Sequence, residues 1–341
     1  MADDAPPPPH SAAGAQTTAP SAPPQPQPPT RNSLHFPSSL AAPLSPYLPP
    51  STSSPPQTTN PQSPHSTRPF TTLTFATSLD SSLSLAPGVR TALSGPLSKA
   101  MTHHLRSRHD AILIGAGTAI ADDPSLNCRV EGVGGYGGVG LEGQPRPVVL
   151  DARARWCWWG EGKGEEDEDG GDGEGIAQVL QLAQQGAGRA PWILIDSSSL
   201  PRIPASAIAL LEAAGGRVIT LPAANSSDSS NDNSNDNSFA WPSILALLAR
   251  HGIRSVMIEG GAGVINKLLE PASAGLVDSV IVTIAPTWLG RGGVVVCPER
   301  GGEEEEGEGG KKGMGMGVAR LRDVRWTPMG EDVVLCGRLG G

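Results

Sequence analysis

The sequence predicts an α/β sandwich, with helices on both faces of a mostly parallel mixed sheet whose last two strands run antiparallel. Three observations predict it. Short, wholly apolar runs of strand length recur: AILIG (111–115), PVVLD (147–151), WILID (192–196) and SVMIE (255–259). Strands apolar on both sides belong inside a parallel sheet covered by helices. Helical stretches stand between these runs, so strand and helix alternate for most of the chain. The end, ARLRDVRWTPMGEDVVLCGRL, reads instead as two strands in antiparallel style.

The elements follow in order. RPFTTLTFATSLD alternates and is rich in Thr and Phe, so it is a strand leaving into a loop at Asp80. A helix starts at Pro96, whose fixed φ suits a first turn, and runs to about Arg108. Leu97, Met101 and Leu105 stand four apart and form its buried stripe, with His103 and Arg106 on another face. AILIG is then a strand, followed by a glycine turn and a polar loop, TAIADDPSLNCR. A helical stretch lies near 176–185, between PVVLD and WILID. ASAIALLEAA is a helix, RVITLP a strand, and WPSILALLARHG a helix closed by Gly252. After SVMIE come the helix GAGVINKLLE and the long strand VDSVIVTIAP.

Composition bounds the rest. Residues 1 to about 67 are dominated by Pro, Ser, Thr, Gln and Ala, and cannot bury enough surface to offset the entropy of ordering. They are expected to form a disordered tail ahead of one domain at 68–341. The opening MADDAPPPP has neither a basic region nor an apolar one, which argues against a secretory signal, and scarce Arg argues against a mitochondrial presequence. No apolar run is long enough to span a bilayer. Low-complexity runs at about 160–175, 225–238 and 301–317 read as loop insertions. Residues 161–174 hold eight acids and one Lys, and 303–312 hold five Glu and two Lys; the chain as a whole carries −9. The remainder is therefore near neutral, so its acidity implies no partner, and neither nucleic acid nor membrane is expected as one. Cys128, Cys157, Cys297 and Cys336 form no CxxC pair, which speaks against structural zinc and for reduced thiols in the cytosol.

Ligands of open α/β sheets bind beyond the carboxyl ends of the strands. Loops follow such ends after Phe75-Ala76, after Ile114 and after Ile258. The third puts Glu259 at a strand tip and Gly260, Gly261 and Gly263 at a helix start, where bare N–H groups attract phosphate. A tight turn that needs glycine for geometry alone gives the same pattern. Neither GGAGV nor GAGTAI has the GxGxxG spacing, which disfavours a Rossmann domain. In the loop 115–129, Thr118 offers a hydroxyl and Asp122 a carboxylate four positions later, framed by Arg106 and Arg129. The set suits a phosphorylated ligand; turn chemistry and solvated surface charges are the bland alternatives. There is no GxSxG elbow and no Walker A motif, and His103, His104 and His109 lack metal-ligand spacing. Residues alone support a phosphate-binding α/β enzyme.

TFATSLD, SKAMTHHLRSRHDAILIGAGTAIADDPSLNCR, IRSVMIEGGAGVIN and VDSVIVTIAPTWLG resemble the riboflavin-biosynthesis reductases in their stand-alone fungal form, over about residues 68–340. The resemblance implies a three-layer dihydrofolate-reductase-like fold and a homodimer. It implies reduction of the ribosylamino group of a pyrimidine ribonucleotide to ribitylamino by NADPH, without metal: the sugar ring opens to an imine and hydride attacks that carbon. Matched motif by motif, Ala76, Thr118 and Asp122 contact the cofactor, and the turn Gly261, Ala262, Gly263, Val264 and Ile265 holds its phosphates. Arg106, Leu126, Arg129 and Glu259 line the substrate site. The two arginines suit the 5′-phosphate, and Glu259 takes the catalytic role of accepting hydrogen bonds from sugar or aminopyrimidine. Two departures stand out. Many relatives carry Ser-Leu-Asp-Gly and then a basic residue, where this chain has Ser78-Leu79-Asp80-Ser81-Ser82. The HxE and PCxxC signature of the fused deaminase is absent, which leaves deamination to another protein. The rival readings are a pterin or folate reductase of the same fold, which needs no pair of phosphate-binding arginines, and a non-catalytic nucleotide-binding scaffold with a recruiting Pro-rich tail.

Overall fold

The computed structural model describes residues 32–50, 68–160, 175–221, 239–299 and 317–340. A short helix, α1 (Ser38–Ala41), opens it. Then come β1 (Phe70–Thr77), β2 (Ser82–Ser84), α2 (Pro96–Ser107), β3 (Ala111–Gly115) and α3 (Ala116–Asp122). The two-residue strands β4 (Val133–Gly134) and β5 (Gly137–Gly138) lead to β6 (Arg146–Leu150), α4 (Gln178–Gln184) and β7 (Trp192–Asp196). After them lie α5 (Ala205–Ala213), β8 (Arg217–Leu221), α6 (Trp241–Arg250), β9 (Ser255–Glu259) and α7 (Ala262–Leu269). β10 (Ser279–Ile284), β11 (Val294–Val295), β12 (Arg320–Met329) and β13 (Asp332–Gly340) complete the chain.

Among the described residues nine strands form one sheet, ordered β12-β13-β10-β1-β9-β3-β6-β7-β8. All pairs from β10 to β8 are parallel, and β13 runs antiparallel to both β10 and β12. The pleat sends alternate side chains to opposite faces. Val256 and Ile258 of β9 join Leu73 and Leu113 against Ile244, Leu245 and Leu248 of α6 and Ile265 and Leu268 of α7. Met257, between them, packs on the other face with Met101 and Leu105 of α2. On that same face Ile112 and Ile114 meet Val179 and Leu180 of α4 and Leu211 of α5. Helix, sheet and helix make three layers, as the apolar runs predict.

Two expectations need correction. The glycine turn and loop after β3 are a helix, α3, up to Asp122. Gly115 caps it and Gly117 lies inside it, so glycine does not break the turn there. Thr118 and Asp122, four apart, therefore share one helical face. Second, residues 32–50 are not part of a tail. Phe36, Leu44, Tyr47 and Leu48 are buried with α2, β10 and the β12–β13 hairpin. Phe36 stacks on His104 at 5.0 Å, and Leu34 exchanges backbone bonds with the 129–131 segment. Six large apolar residues in this belt outweigh its prolines, which merely forbid regular periodicity. The low-complexity runs lie outside the described residues apart from their end positions 160, 175 and 317.

The threading places a crevice. The chain leaves β1 towards α2 on one face, and leaves β9, beside β1, towards α7 on the other. Connections diverging from adjacent strands open a gap at their carboxyl ends, where ligands bind.

Candidate active site

A cleft of about 600 Å³ occupies that gap. Its walls include Thr74, Phe75 and Ala76 from β1, Gly117, Thr118 and Asp122 from α3, and Leu126 beyond it. Facing them are Glu259 at the tip of β9 and then Gly260, Gly261, Ala262, Gly263 and Ile265. The two halves touch: Thr118 Oγ1 stands 3.4 Å from where a Cβ at Gly261 would lie. Residues 143 positions apart in sequence thus share one cleft.

The turn into α7 is built from glycine for two separable reasons. Gly260 and Gly261 have φ of 69° and 83°, left-handed values that cost a side chain strain. Gly263 is helical, and a Cβ there would meet nothing within 4 Å. The fold has no use for glycine at that position, whereas a ligand lying on the backbone does. Helix α7 presents the N–H groups of its first turn and its positive dipole end here. Ile265 N–H is already given to the Gly261 carbonyl at 3.0 Å, and Val264 turns to the core instead of the cleft.

Glu259 is fixed by Arg106. Nε of Arg106 donates to Oε1 at 2.9 Å and Nη2 donates to Oε2 at 2.7 Å, a bidentate fork with side-chain exposures of 12% and 17%. Nη1 donates to the Asn127 carbonyl at 3.0 Å. Burial opposes the guanidinium charge, but the adjacent carboxylate, by charge and by hydrogen bond, holds its pKa above the ordinary value. Arg106 thus holds both Glu259 and the 126–128 loop. Arg129 does not line the cleft. Its backbone N–H donates to His103 Nδ1 at 3.1 Å and its carbonyl accepts from Leu34 N–H at 2.7 Å. His103, pushed down to about 2 by burial and then by Arg106 and Arg129, is a neutral acceptor in that contact.

Backbone strain marks the loop after α3. Leu126 is buried and has a φ of 50°, a value uncommon for a branched side chain. Neighbouring bonds hold it there: Asn127 Nδ2 donates to the Tyr136 hydroxyl at 2.7 Å and to the Ala187 carbonyl at 2.8 Å. Gln144 brackets Cys128 with bonds of 2.8 and 2.7 Å. Asp122 is half-buried, and burial raises its carboxyl pKa while Arg90 across the cleft draws it down. Arg90 was not singled out from the sequence, where it is a lone arginine in a polar loop.

Other candidates serve structure. Asp80 accepts from the N–H groups of Leu289 at 3.2 Å and Gly290 at 2.8 Å, tying two loops together outside the cleft. Ser81 is left-handed with a φ of 60°. His109 donates from Nδ1 to the Leu105 carbonyl at 2.7 Å and accepts at Nε2 from Thr72 Oγ1 at 2.8 Å, so it caps α2. A second cavity, about 700 Å³, opens at the opposite strand ends among Arg108, Arg146, Arg189, Arg254 and Trp192. There Arg146 and Arg189 donate to loop carbonyls, which is a structural use. Among the described residues, no three His, Cys, Asp or Glu side chains are grouped to hold a metal, and no helix is long and apolar enough to cross a membrane.

A cleft at the carboxyl ends of a parallel sheet, with a bare helix tip beside a fixed carboxylate, suits an α/β enzyme that works on a nucleotide-like ligand. Comparison with known proteins narrows that class. The RibD C-terminal domain family matches residues 69–164 and 183–335, and the chain belongs to it. The 2,5-diamino-6-ribosylamino-4(3H)-pyrimidinone 5′-phosphate reductase of Debaryomyces hansenii is 36% identical over 81% of this chain and 92% of its own. That of Saccharomyces cerevisiae is 31% identical over 80% of this chain and 87% of its own. Among solved structures, the riboflavin biosynthesis reductase Rib7 of S. cerevisiae superposes with a TM-score of 0.58 at 29% identity, covering 89% of this chain and all of the other. RibD of Acinetobacter baumannii shares the fold at a TM-score of 0.54 and 20% identity, over 81% of this chain and 59% of its own. The fold is thus the dihydrofolate-reductase-like one of the reductases, and the chain is an oxidoreductase.

Proposed function

We propose that the chain reduces 2,5-diamino-6-ribosylamino-4(3H)-pyrimidinone 5′-phosphate to the ribitylamino compound in riboflavin biosynthesis, with NADPH as reductant. The observation that carries this reading is the joining of Glu259, held by Arg106, to the glycine-lined tip of α7 in one cleft. Family membership supplies the chemistry to be fitted there.

The residues suit a nicotinamide dinucleotide. Gly261, Ala262 and Gly263 offer N–H groups for its diphosphate, with Thr118 and Asp122 opposite for hydroxyl contacts and Ala76 and Ile265 for apolar contact. Bound, the nicotinamide supplies hydride. The chain does the rest by placement and electrostatics. Leu126 and Phe75 keep water from the reacting carbon. Glu259, which cannot rotate away from its Arg106 fork, accepts hydrogen bonds from the opened sugar or the aminopyrimidine. Its negative charge also offsets positive charge on the imine nitrogen, where hydride addition to the neighbouring carbon is easiest. Arg106 acts through Glu259 and is a positioning residue. Off the cleft wall, Arg129 bonds His103 and Leu34 through its backbone, and Val264 packs α7 on the core.

We further infer a cytoplasmic homodimer. The edge strand β12 leaves Val324 and Trp326 about half exposed, and an apolar sheet edge of this kind calls for a cover. Turnover of the purified chain with the pyrimidine nucleotide, followed by loss of NADPH absorbance, tests the reading. Failure with that nucleotide alongside turnover of a dihydropterin or dihydrofolate would sink it.

A further inference from the structure

We propose that the second cavity, at the amino ends of the strands and away from the cleft, binds a small ligand carrying a polyphosphate group. Sheet order assembles it. Arg146 is the first residue of β6, Trp192 of β7 and Arg217 of β8, three parallel neighbours, so pairing brings them to one end of the sheet. Arg146 and Arg217 both lie over the Trp192 ring, 5.2 and 5.0 Å from its centroid. Arg108, Arg189 and Arg254 join Arg146 and Trp192 around a volume of about 700 Å³, the size of a small-molecule site.

What this cavity has to spare is positive charge and donors. Among the described residues lining it the one carboxylate, Asp110, is paired with Arg254 at 3.3 Å. Arg146, Arg189 and Arg217 form no ion pair with any described residue. Carbonyls hold two of them. Arg146 donates to Ala190 at 2.6 Å and Gly215 at 3.1 Å, and Arg189 to Gln144 at 2.9 Å and Leu141 at 3.3 Å. Such bonds fix a guanidinium without cancelling its charge. Burial, and then the charges of Arg189 and Arg217, push Arg146 down to about 10, the mark of like charges gathered without a counterion. Trp192 is 7% exposed, and its indole N–H has no acceptor among the described residues. The acceptors nearby are in use: the Gln144 amide oxygen takes the Cys128 N–H, and Ser255 Oγ takes the Asp110 N–H. The whole chain carries −9, so this positive end is a local feature. A polyphosphate brings several charges and acceptors at once and matches the paired donors of guanidinium.

Binding tests this independently of the proposed reaction. Full-length wild type, Arg217→Gln, Trp192→Phe and Gly263→Ala are titrated calorimetrically with inorganic tripolyphosphate, ATP and citrate. Arg217 is exposed, so Arg217→Gln should leave the melting temperature in place while weakening tripolyphosphate roughly tenfold, as loss of a charge-assisted contact does. Trp192→Phe keeps a ring for both cations but removes the N–H donor, and should weaken it severalfold. Gly263→Ala, altered in the other cleft, should bind tripolyphosphate as the wild type does. ATP binding tighter than tripolyphosphate assigns the site to a nucleotide; equal or weaker binding assigns it to polyphosphate itself. Absence of saturable binding to the wild type, an unchanged affinity in Arg217→Gln, or an equal loss in Gly263→Ala overturns the proposal. So does citrate binding as tightly as tripolyphosphate.

Discussion

Replacing Gly263 with alanine separates what the fold needs from what a ligand needs. Its backbone is helical and a Cβ would meet nothing within 4 Å, so the substitution introduces no clash within the protein. Alanine is favoured over glycine in helices by about 0.5–1 kcal/mol, and near a helix start the lower end applies. For a domain of this size about 0.5 kcal/mol corresponds to a rise of roughly 1–2 °C in melting temperature. If a diphosphate rests on the N–H groups of Gly261 to Gly263, the new methyl stands where that ligand approaches. Overpacking of this kind costs about 1–3 kcal/mol, or roughly a five- to hundredfold loss of affinity. Thermal melts without ligand, paired with fluorescence titration of NADPH, read both effects. A higher melting point with unchanged NADPH affinity refutes the placement of the cofactor on α7. A lower melting point refutes the claim that the fold has no use for this glycine.

Four further outcomes follow from the same geometry. Arg106→Leu strands a buried carboxylate and should cost about 3–5 kcal/mol of stability; adding Glu259→Gln should restore much of it, and a double-mutant cycle on chemical denaturation measures the difference. Glu259→Gln alone should lower kcat at least tenfold with the fold intact, and unchanged kinetics would remove Glu259 from the reaction. Burial depresses His103 to about 2 and His104 and His109 to about 4, below the unfolded value of 6.5. The unfolded chain therefore binds more protons below pH 6.5. Stability should be full above that pH and fall as pH drops from 6.5 towards 4, by about 1.4 kcal/mol per unit for each histidine, which denaturation midpoints at pH 7.5 and 5.0 will show. Deleting residues 1–50 removes Phe36, Leu44, Tyr47 and Leu48 from the core and should cost on the order of 5 kcal/mol, whereas deleting 1–31 touches none of the described contacts; equal melting points for the two truncations would contradict the packing.

Legibility followed period and locality. The strands β3, β6, β7 and β9 are continuous apolar runs, and α2 and α6 carry stripes spaced for a helix, so sequence alone located them. The belt 32–50 was missed because its apolar residues are aperiodic and set among prolines, and composition averaged over 67 residues hides six large side chains. Helix α3 was missed because its two glycines suggested a turn, while its packing of Ala119 under β3 and β6 is a tertiary effect. Ala76, Thr118, Asp122, Leu126, Glu259, Gly261, Ala262, Gly263 and Ile265 were named from motifs, and all line one cleft. What no motif encodes is who partners whom. Arg106 and Glu259 lie 153 positions apart, and only the sheet order brings them to bonding distance.

That pairing bears on the proposal that one cleft serves two guests. β9 returns late in the chain to insert between β1 and β3, so its tip carries Glu259 into the wall formed by α2 and the 126–128 loop. The next residues, Gly260 and Gly261, turn at once into α7 on the opposite face of the sheet. A single strand end thus fixes, within three residues of each other, the carboxylate proposed to face the substrate and the helix tip proposed to face the cofactor. The Arg106 fork ties α2 to the tip of β9, from which the chain turns into α7, so on the proposed reading one buried ion pair helps to set the separation of hydride donor and acceptor. On this reasoning Arg106→Leu should impair kcat more than the binding of either ligand, since what it loosens is the distance between them.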